Sequence, residues 1–191
     1  MKFIHDFVFG FVDYPNRLAA TLFFNGCNLS CPYCYNQRVV GGRPVYSLED
    51  VSAALEKTDA AMMGNRVAVV FSGGEPTANL VGFHAATDHF MAEERSMALH
   101  TNGLNGFRDV FDSVVLSVKT THDGVRNLGQ YRQRLLDIML FGCKNAAYKE
   151  LRVVDHMGAR AERFGTLDFL KDKFATDGWR LNVIKPFEGD R

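Results

Sequence analysis

Cys27-Asn28-Leu29-Ser30-Cys31-Pro32-Tyr33-Cys34 places three of the chain's four cysteines within eight residues, spaced Cys-x3-Cys-x2-Cys. Three thiolates on one tight loop can hold a soft metal or a cluster, and three cannot all pair as disulfides. A [4Fe–4S] cluster normally takes four thiolates. Held by three, it leaves one iron open to a substrate or cofactor, the same open-site logic that separates catalytic from structural zinc. The other reading is a structural zinc site completed by Cys143 or a histidine. Zinc sites are usually built from two short paired motifs, whereas Cys143 stands alone with no histidine close by in sequence. The spacing by itself shows a three-thiolate metal site and leaves cluster and zinc both open.

Working outward from the loop, 191 residues read as one domain, 1–191, with a short N-terminal arm at 1–16. A chain of this size buries roughly 70% of its unfolded surface, enough for a core without staples. The 22 basic and 22 acidic residues balance to a formal net charge of +0, so charge gives no case for nucleic acid or an anionic membrane as partner. Residues 1–12 hold His5 and Asp6 and lack the unbroken apolar core of a signal peptide. No run is long enough to be a membrane span. Clustered thiols suit a reducing compartment, and the expected location is the cytoplasm.

Phe7, Phe9 and Phe11 alternate with Val8, Gly10 and Val12, which predicts a short strand or extended arm. Asp13-Tyr14-Pro15-Asn16 breaks it with turn chemistry. Apolar or β-branched runs predict strands over 18–24, 67–71, 96–100, 114–118, 150–154 and 179–184, the last ended by Lys185-Pro186-Phe187. Ser47 with Asp50 three residues on reads as a helix start. Further helices are predicted over 78–92, 128–141 and 166–175, the last with Leu167, Leu170 and Phe174 on one face. Six strands alternating with helices or loops imply an α/β fold of βα units around a parallel sheet. The short motifs fall just after strands, where parallel α/β folds bind ligands.

Each motif also has a plain structural reading. Gly73-Gly74-Glu75-Pro76 can be a turn before a helix, with Pro76 in the first turn where its missing N–H costs nothing. The two glycines also let backbone approach a ligand closely. Thr101-Asn102-Gly103 can be a simple turn. Arg152 can bind a carboxylate bidentately or simply pair on the surface. His5, His84, His89, His122 and His156 have no metal-ligand spacing. Cys143, in an apolar helical pattern, reads as a buried small hydrophobe.

The cysteine loop resembles the signature of the radical S-adenosylmethionine (SAM) enzymes, Cys-x3-Cys-x-aromatic-Cys, with Tyr33 as the aromatic. That resemblance implies a [4Fe–4S] cluster on Cys27, Cys31 and Cys34, an open iron chelated by SAM, and Tyr33 near the adenine. It implies reductive cleavage of SAM to methionine and a 5′-deoxyadenosyl radical that abstracts a hydrogen atom. Gly73-Gly74-Glu75-Pro76, one βα unit later, is similar to the family's Gly-Gly-Glu-Pro motif, whose backbone and Glu meet the SAM amino group. A β-branched residue at position 74 is therefore expected to weaken SAM binding and leave the cluster in place. Thr101 and Asn102 match a segment that touches SAM. Ser117 and Lys119 match an Asp-x-Lys pair, with a hydroxyl in place of the Asp that meets the ribose. Arg152 is a candidate for the SAM carboxylate. The implied fold is an open (β/α)6 partial TIM barrel covering nearly the whole chain.

Within that family, residues 10–36 resemble the activating proteins of anaerobic (class III) ribonucleotide reductase. The match rests on Val12-Asp13-Tyr14-Pro15, on Gly26-Cys27-Asn28 and on Asn36 two residues after the last cysteine. Asn16 replaces a Gly and tolerates the same left-handed turn; Tyr35 stands where His is frequent. The implied function is installing a glycyl radical on a partner enzyme, the anaerobic ribonucleotide reductase large subunit, with a flavodoxin or ferredoxin-type electron donor and no membrane or nucleic-acid partner. Two alternatives stand beside it. One is a small-molecule or peptide radical SAM enzyme such as a 7-carboxy-7-deazaguanine synthase-like protein. The other is a non-catalytic zinc-binding module.

Overall fold

The computed structural model describes residues 1–156 and 159–185, except the side chains of 174 and 175. The predicted break at Pro186-Phe187 and the packing of Phe174 lie outside the described residues.

Ala19–Phe24 is apolar at every position but Thr21 and forms β2, a strand covered on both faces. β4 (Ala68–Gly73), β5 (Met97–Thr101), β6 (Ser113–Val118), β7 (Tyr148–Val154) and β8 (Trp179–Ile184) follow it in space in that order. Every neighbouring pair among these six strands is parallel, as predicted. The stretch read as a strand or arm is β1 (Lys2–Gly10), antiparallel to β2 with Gly10 opposite Ala19. The two-residue β3 (Tyr46–Ser47), which sequence did not show, covers β1 at Lys2 and Ile4. The result is one open sheet in the order β3-β1-β2-β4-β5-β6-β7-β8, a parallel half-barrel with an antiparallel flap on one edge.

The helices between the strands are α1 (Gln37–Gly41), α2 (Leu48–Ala61), α3 (Leu80–Ala92), α4 (Leu128–Asp137) and α5 (Arg160–Thr176). Ser47 and Asp50 form the expected capping box on α2, each side chain accepting the other's backbone N–H. The helix predicted over 128–141 is α-helical only to Asp137 and continues as a π turn over Ile138–Gly142. α5 begins at Arg160 rather than at 166, because its charged first turns carry no apolar period. The β5–β6 link has no helix. Phe111 fills that part of the core instead, its ring centroid 5.4 Å from that of Phe71 and 6.0 Å from that of Phe83.

Alternation along the strands separates two faces. Ala20, Leu22, Phe24, Val69, Phe71 and Leu99 join the main core under the helices. Ala19, Ala68, Val70 and Ala98 form a second cluster, and Tyr14 packs against it. The segment after β1 thus turns back onto the half-barrel, where the Thr21 hydroxyl donates to Asp13 Oδ2 at 2.8 Å. Asn16 takes the left-handed conformation anticipated for it, with φ +56°. Among the described residues no helix is long and apolar enough to cross a membrane.

Candidate cofactor site at the strand ends

The cysteine loop leaves the carboxyl end of β2 and is tied down along its length. Asn25 donates its side-chain amide to Val39 O and Gly42 O at 3.0 and 2.6 Å. Asn28 Oδ1 accepts the Asn102 amide at 2.7 Å. The Ser30 N–H donates to Asp123 O at 3.0 Å. Asn36 donates its amide to Gly73 O at 2.8 Å. The Cys34 N–H closes a tight turn on Cys31 O at 3.1 Å. Four separate parts of the chain therefore fix the positions of three thiols.

The glycines of Gly73-Gly74-Glu75 are demanded first by this chain itself. Gly73 has φ +106°, and a Cβ there would stand 2.6 Å from Phe24 N. A Cβ on Gly74 would clash with the carbonyl oxygen of Gly26, at the root of the cysteine loop. Backbone bonds run across the same contact, from Gly74 N–H to Phe24 O and from Glu75 N–H to Gly26 O. The expectation that a β-branched residue at 74 affects only SAM is therefore corrected: the clash reaches the loop that carries the cysteines.

Glu75 is buried and accepts four hydrogen bonds. Oε1 takes Thr77 N–H, the Thr77 hydroxyl and the Thr101 hydroxyl; Oε2 takes Asn102 N–H at 2.7 Å. Burial pushes its carboxyl above the usual range, and these bonds pull it back. Thr101 and Asn102 are thus not a free turn, since they fasten Glu75 to the cysteine loop. Tyr131, fully buried on α4, joins the next strand end by donating its hydroxyl to Asn102 O and accepting Lys119 N–H.

Around these groups lies a cavity of about 260 Å³. Cys27, Cys31, Tyr33, Cys34, Gly73, Gly74, Glu75, Thr101, Asn102, Ser117, Lys119 and Arg152 all line it. Of the candidate metal and cofactor residues only Pro76 is absent; it sits buried at the start of the one-turn helix Pro76–Ala78. Ser117 and Arg152 are opposite each other across β6 and β7. The Ser117 hydroxyl has no hydrogen bond among the described residues. Arg152 is not an isolated surface arginine, because its Nε donates to Glu150 Oε1 at 2.8 Å. Glu150 is further held by the Tyr148 hydroxyl and the Asn182 amide. His100, which sequence reading did not nominate, also lines the cavity. Burial, with the Arg152 guanidinium second, pushes it down to about 4, so its imidazole is neutral at pH 7. Its one sequence signal was its place directly before Thr101.

Tyr33 is held by Arg163. The Arg163 guanidinium lies 5.3 Å from its ring centroid and donates to its hydroxyl at 3.2 Å. Arg163 and Asp123 form a buried ion pair at 3.3 Å, 1% and 0% exposed. Lys119 Nζ is 5.6 Å from the centroid of the same ring. Two cations therefore lie against the ring of the residue that the resemblance placed near the adenine.

The donor set fits an iron–sulfur cluster. Three soft thiols share one part-buried loop in one cavity. Burial raises the Cys27 and Cys31 thiols above their ordinary range, while Lys119 pulls Cys31 the other way. Among the described residues no three Cys, His, Asp or Glu side chains converge on a single ion position; thiolates that each serve a different iron have no need to. Cys143 is in the main core, away from the cavity, with its thiol pushed up to about 12 by burial.

The sequence profile of the Radical SAM superfamily matches residues 21–158. Over 67 residues the chain is 34% identical to a Methanocaldococcus jannaschii protein provisionally named a glycyl-radical enzyme activating enzyme, which spans 35% of this chain and 25% of that one. The chain thus spans a quarter of the length of the curated relative it matches. QueE from Escherichia coli superposes with a TM-score of 0.53 at 14% identity, covering 95% of this chain and 93% of that one. SuiB from Streptococcus suis, bound to its precursor peptide SuiA, gives a TM-score of 0.42 at 13% identity, covering 86% and 47%.

Proposed function

The chain belongs to the radical SAM superfamily, whose members use a [4Fe–4S] cluster and SAM, and from that premise we propose that it installs a glycyl radical on a partner enzyme of the anaerobic ribonucleotide reductase type. Cys27, Cys31 and Cys34 hold the cluster in this reading, and a low-potential donor of the flavodoxin or ferredoxin class supplies the electron. The cluster and SAM, when bound, supply one-electron cleavage of the sulfonium and a 5′-deoxyadenosyl radical.

The chain's own residues are left with binding and positioning. Glu75 Oε2 takes one hydrogen bond where Oε1 takes three, so Oε2 keeps acceptor capacity for an ammonium. Arg152 spends Nε on Glu150, which leaves its outer nitrogens for a carboxylate. The Ser117 hydroxyl serves a ribose. His100 stays neutral and adds no charge. A hydrogen atom taken from a backbone Cα needs no acid or base from the protein.

The observation that carries the choice of substrate is the seating of residues 12–16. Tyr14 packs on Ala19, Ala68, Val70 and Ala98, and Asp13 accepts from Thr21, so these two residues of the segment lie on the inner side of the half-barrel, while Val12, Pro15 and Asn16 stay exposed. A hydrogen donor presented on a protruding loop of a partner suits such a site. The partial likeness to an activating enzyme points the same way. A second reading, a small polar substrate, is favoured by His100 and Arg152 in the cavity wall.

The test mixes reduced protein, SAM and an anaerobic reductase, then records an electron paramagnetic resonance spectrum. A glycyl doublet on the partner, abolished when its radical glycine is changed to alanine, is the expected result. SAM cleavage with no partner radical, together with turnover of a small molecule, would favour the second reading.

A further inference from the structure

Lys119 stands one residue beyond β6, its backbone N–H fixed on the Tyr131 hydroxyl at 3.0 Å. Its Nζ lies 5.6 Å from the Tyr33 ring centroid, and Tyr33 lies between Cys31 and Cys34 in sequence. Arg163 reaches the same ring at 5.3 Å. The two cations are not equivalent. Arg163 is neutralised by Asp123 at 3.3 Å, and that carboxylate also caps the turn at Thr120. Among the described residues, Lys119 has no carboxylate within ion-pair distance. Of the two cations against the Tyr33 ring, Lys119 is therefore the one with no paired carboxylate, and it lines the same cavity as Cys27, Cys31 and Cys34.

We propose that Lys119 sets the reduction potential of the cluster held by Cys27, Cys31 and Cys34, using the face of Tyr33 as its rest, while the Arg163–Asp123 pair fixes that ring. The proposal rests on the cluster site argued above. Reduction adds one negative charge to a part-buried site. A fixed positive charge nearby stabilises the reduced state more than the oxidised one, and the low local dielectric enlarges the difference. Net charge and hydrogen bonds to sulfur are among the levers that set iron–sulfur potentials. A cation–π contact holds a lysine head that would otherwise move freely in water. Resemblance alone gave Lys119 a role in binding SAM. The two roles differ in what the residue does when SAM is absent.

Wild type, Lys119→Met, Lys119→Arg and Tyr33→Leu are reconstituted anaerobically. Iron and sulfide are counted first. The midpoint potential is then measured without SAM by titration followed by electron paramagnetic resonance, and SAM affinity is measured separately. The potential of Lys119→Met moves to more negative values, and that of Lys119→Arg stays near wild type. Tyr33→Leu, which removes the rest and keeps the charge, moves the same way by less. Tyr33→Leu also carries the comparison should Lys119→Met load poorly. An unmoved potential in Lys119→Met and Tyr33→Leu, with SAM affinity down tenfold or more in the former, overturns the proposal and makes Lys119 a SAM ligand. A wild-type protein that takes up no iron or sulfide overturns the cluster site, and this proposal with it.

Discussion

A Cβ on Gly74 meets the Gly26 carbonyl, and the Gly26 carbonyl is the last fixed point before Cys27. The Gly74→Val protein is therefore expected to lose cluster and SAM binding together. Iron content after anaerobic reconstitution checks this: a full cluster with SAM affinity alone reduced would mean that the loop yields without moving its thiols. The cysteines divide just as sharply. Alanine at Cys27, Cys31 or Cys34 removes a donor from the cavity and should abolish a complete cluster, whereas Cys143→Ala should load fully. Cys143→Ala still removes a buried sulfur from a packed core, so a stability loss of about 1–2 kcal/mol is expected in denaturant unfolding. Loss of iron from the Cys143 variant, or its retention in all three loop variants, would refute the assignment. Zinc without sulfide in protein prepared anaerobically would return the loop to the structural-zinc reading.

α5 contributes Arg163, whose side-chain partners Asp123 and the Tyr33 hydroxyl are both distant in sequence, with the nearby backbone oxygen of His156 as a third. Removing one partner of a buried ion pair strands the other charge, at a cost of about 3–5 kcal/mol. Arg163→Met is therefore expected to be strongly destabilised in urea, and Arg163→Met combined with Asp123→Asn less so, because no bare carboxylate is then left in the core. A double variant worse than the single one would show that the pair matters through shape rather than charge. The same helix marks where sequence reading stops. The six parallel strands were legible because four are short apolar or β-branched runs bounded by turn residues and the last two alternate polar with apolar residues, and the cysteine and Gly-Gly-Glu motifs because their chemistry is local. Asp123, Tyr131 and Arg163 carry no such mark. Their roles arise when a loop after β6, α4 and α5 are brought against the cysteine loop, and no spacing encodes that meeting. β3 was too short to give a period, and α5 began early because buried Arg163 looks, in sequence, like one more solvent-facing charge.

At the scale of the whole molecule, the cysteine loop is a junction rather than an appendage. It is bonded to the α1 region through Asn25, to the end of β4 through Asn36, to the end of β5 through Asn28 and to the turn after β6 through Ser30. Anything that binds the folded loop and not the unfolded chain must stabilise the entire half-barrel, since unfolding releases it. Loading to about 100 times the dissociation constant is worth about 2.7 kcal/mol, or about 5–10 °C in melting temperature for a chain of this length. Anaerobic calorimetry of the apo and reconstituted proteins is expected to show an upward shift of that size as a single transition, with Cys31→Ala showing none. SAM added to the loaded protein should raise the midpoint again, because Glu75 after β4, Ser117 on β6 and Arg152 on β7 are separate parts of the chain that it would bridge. A cluster-dependent shift confined to a separate low-temperature transition would mean instead that the loop melts by itself and that its ties to the strand ends contribute little to holding the three thiols in place.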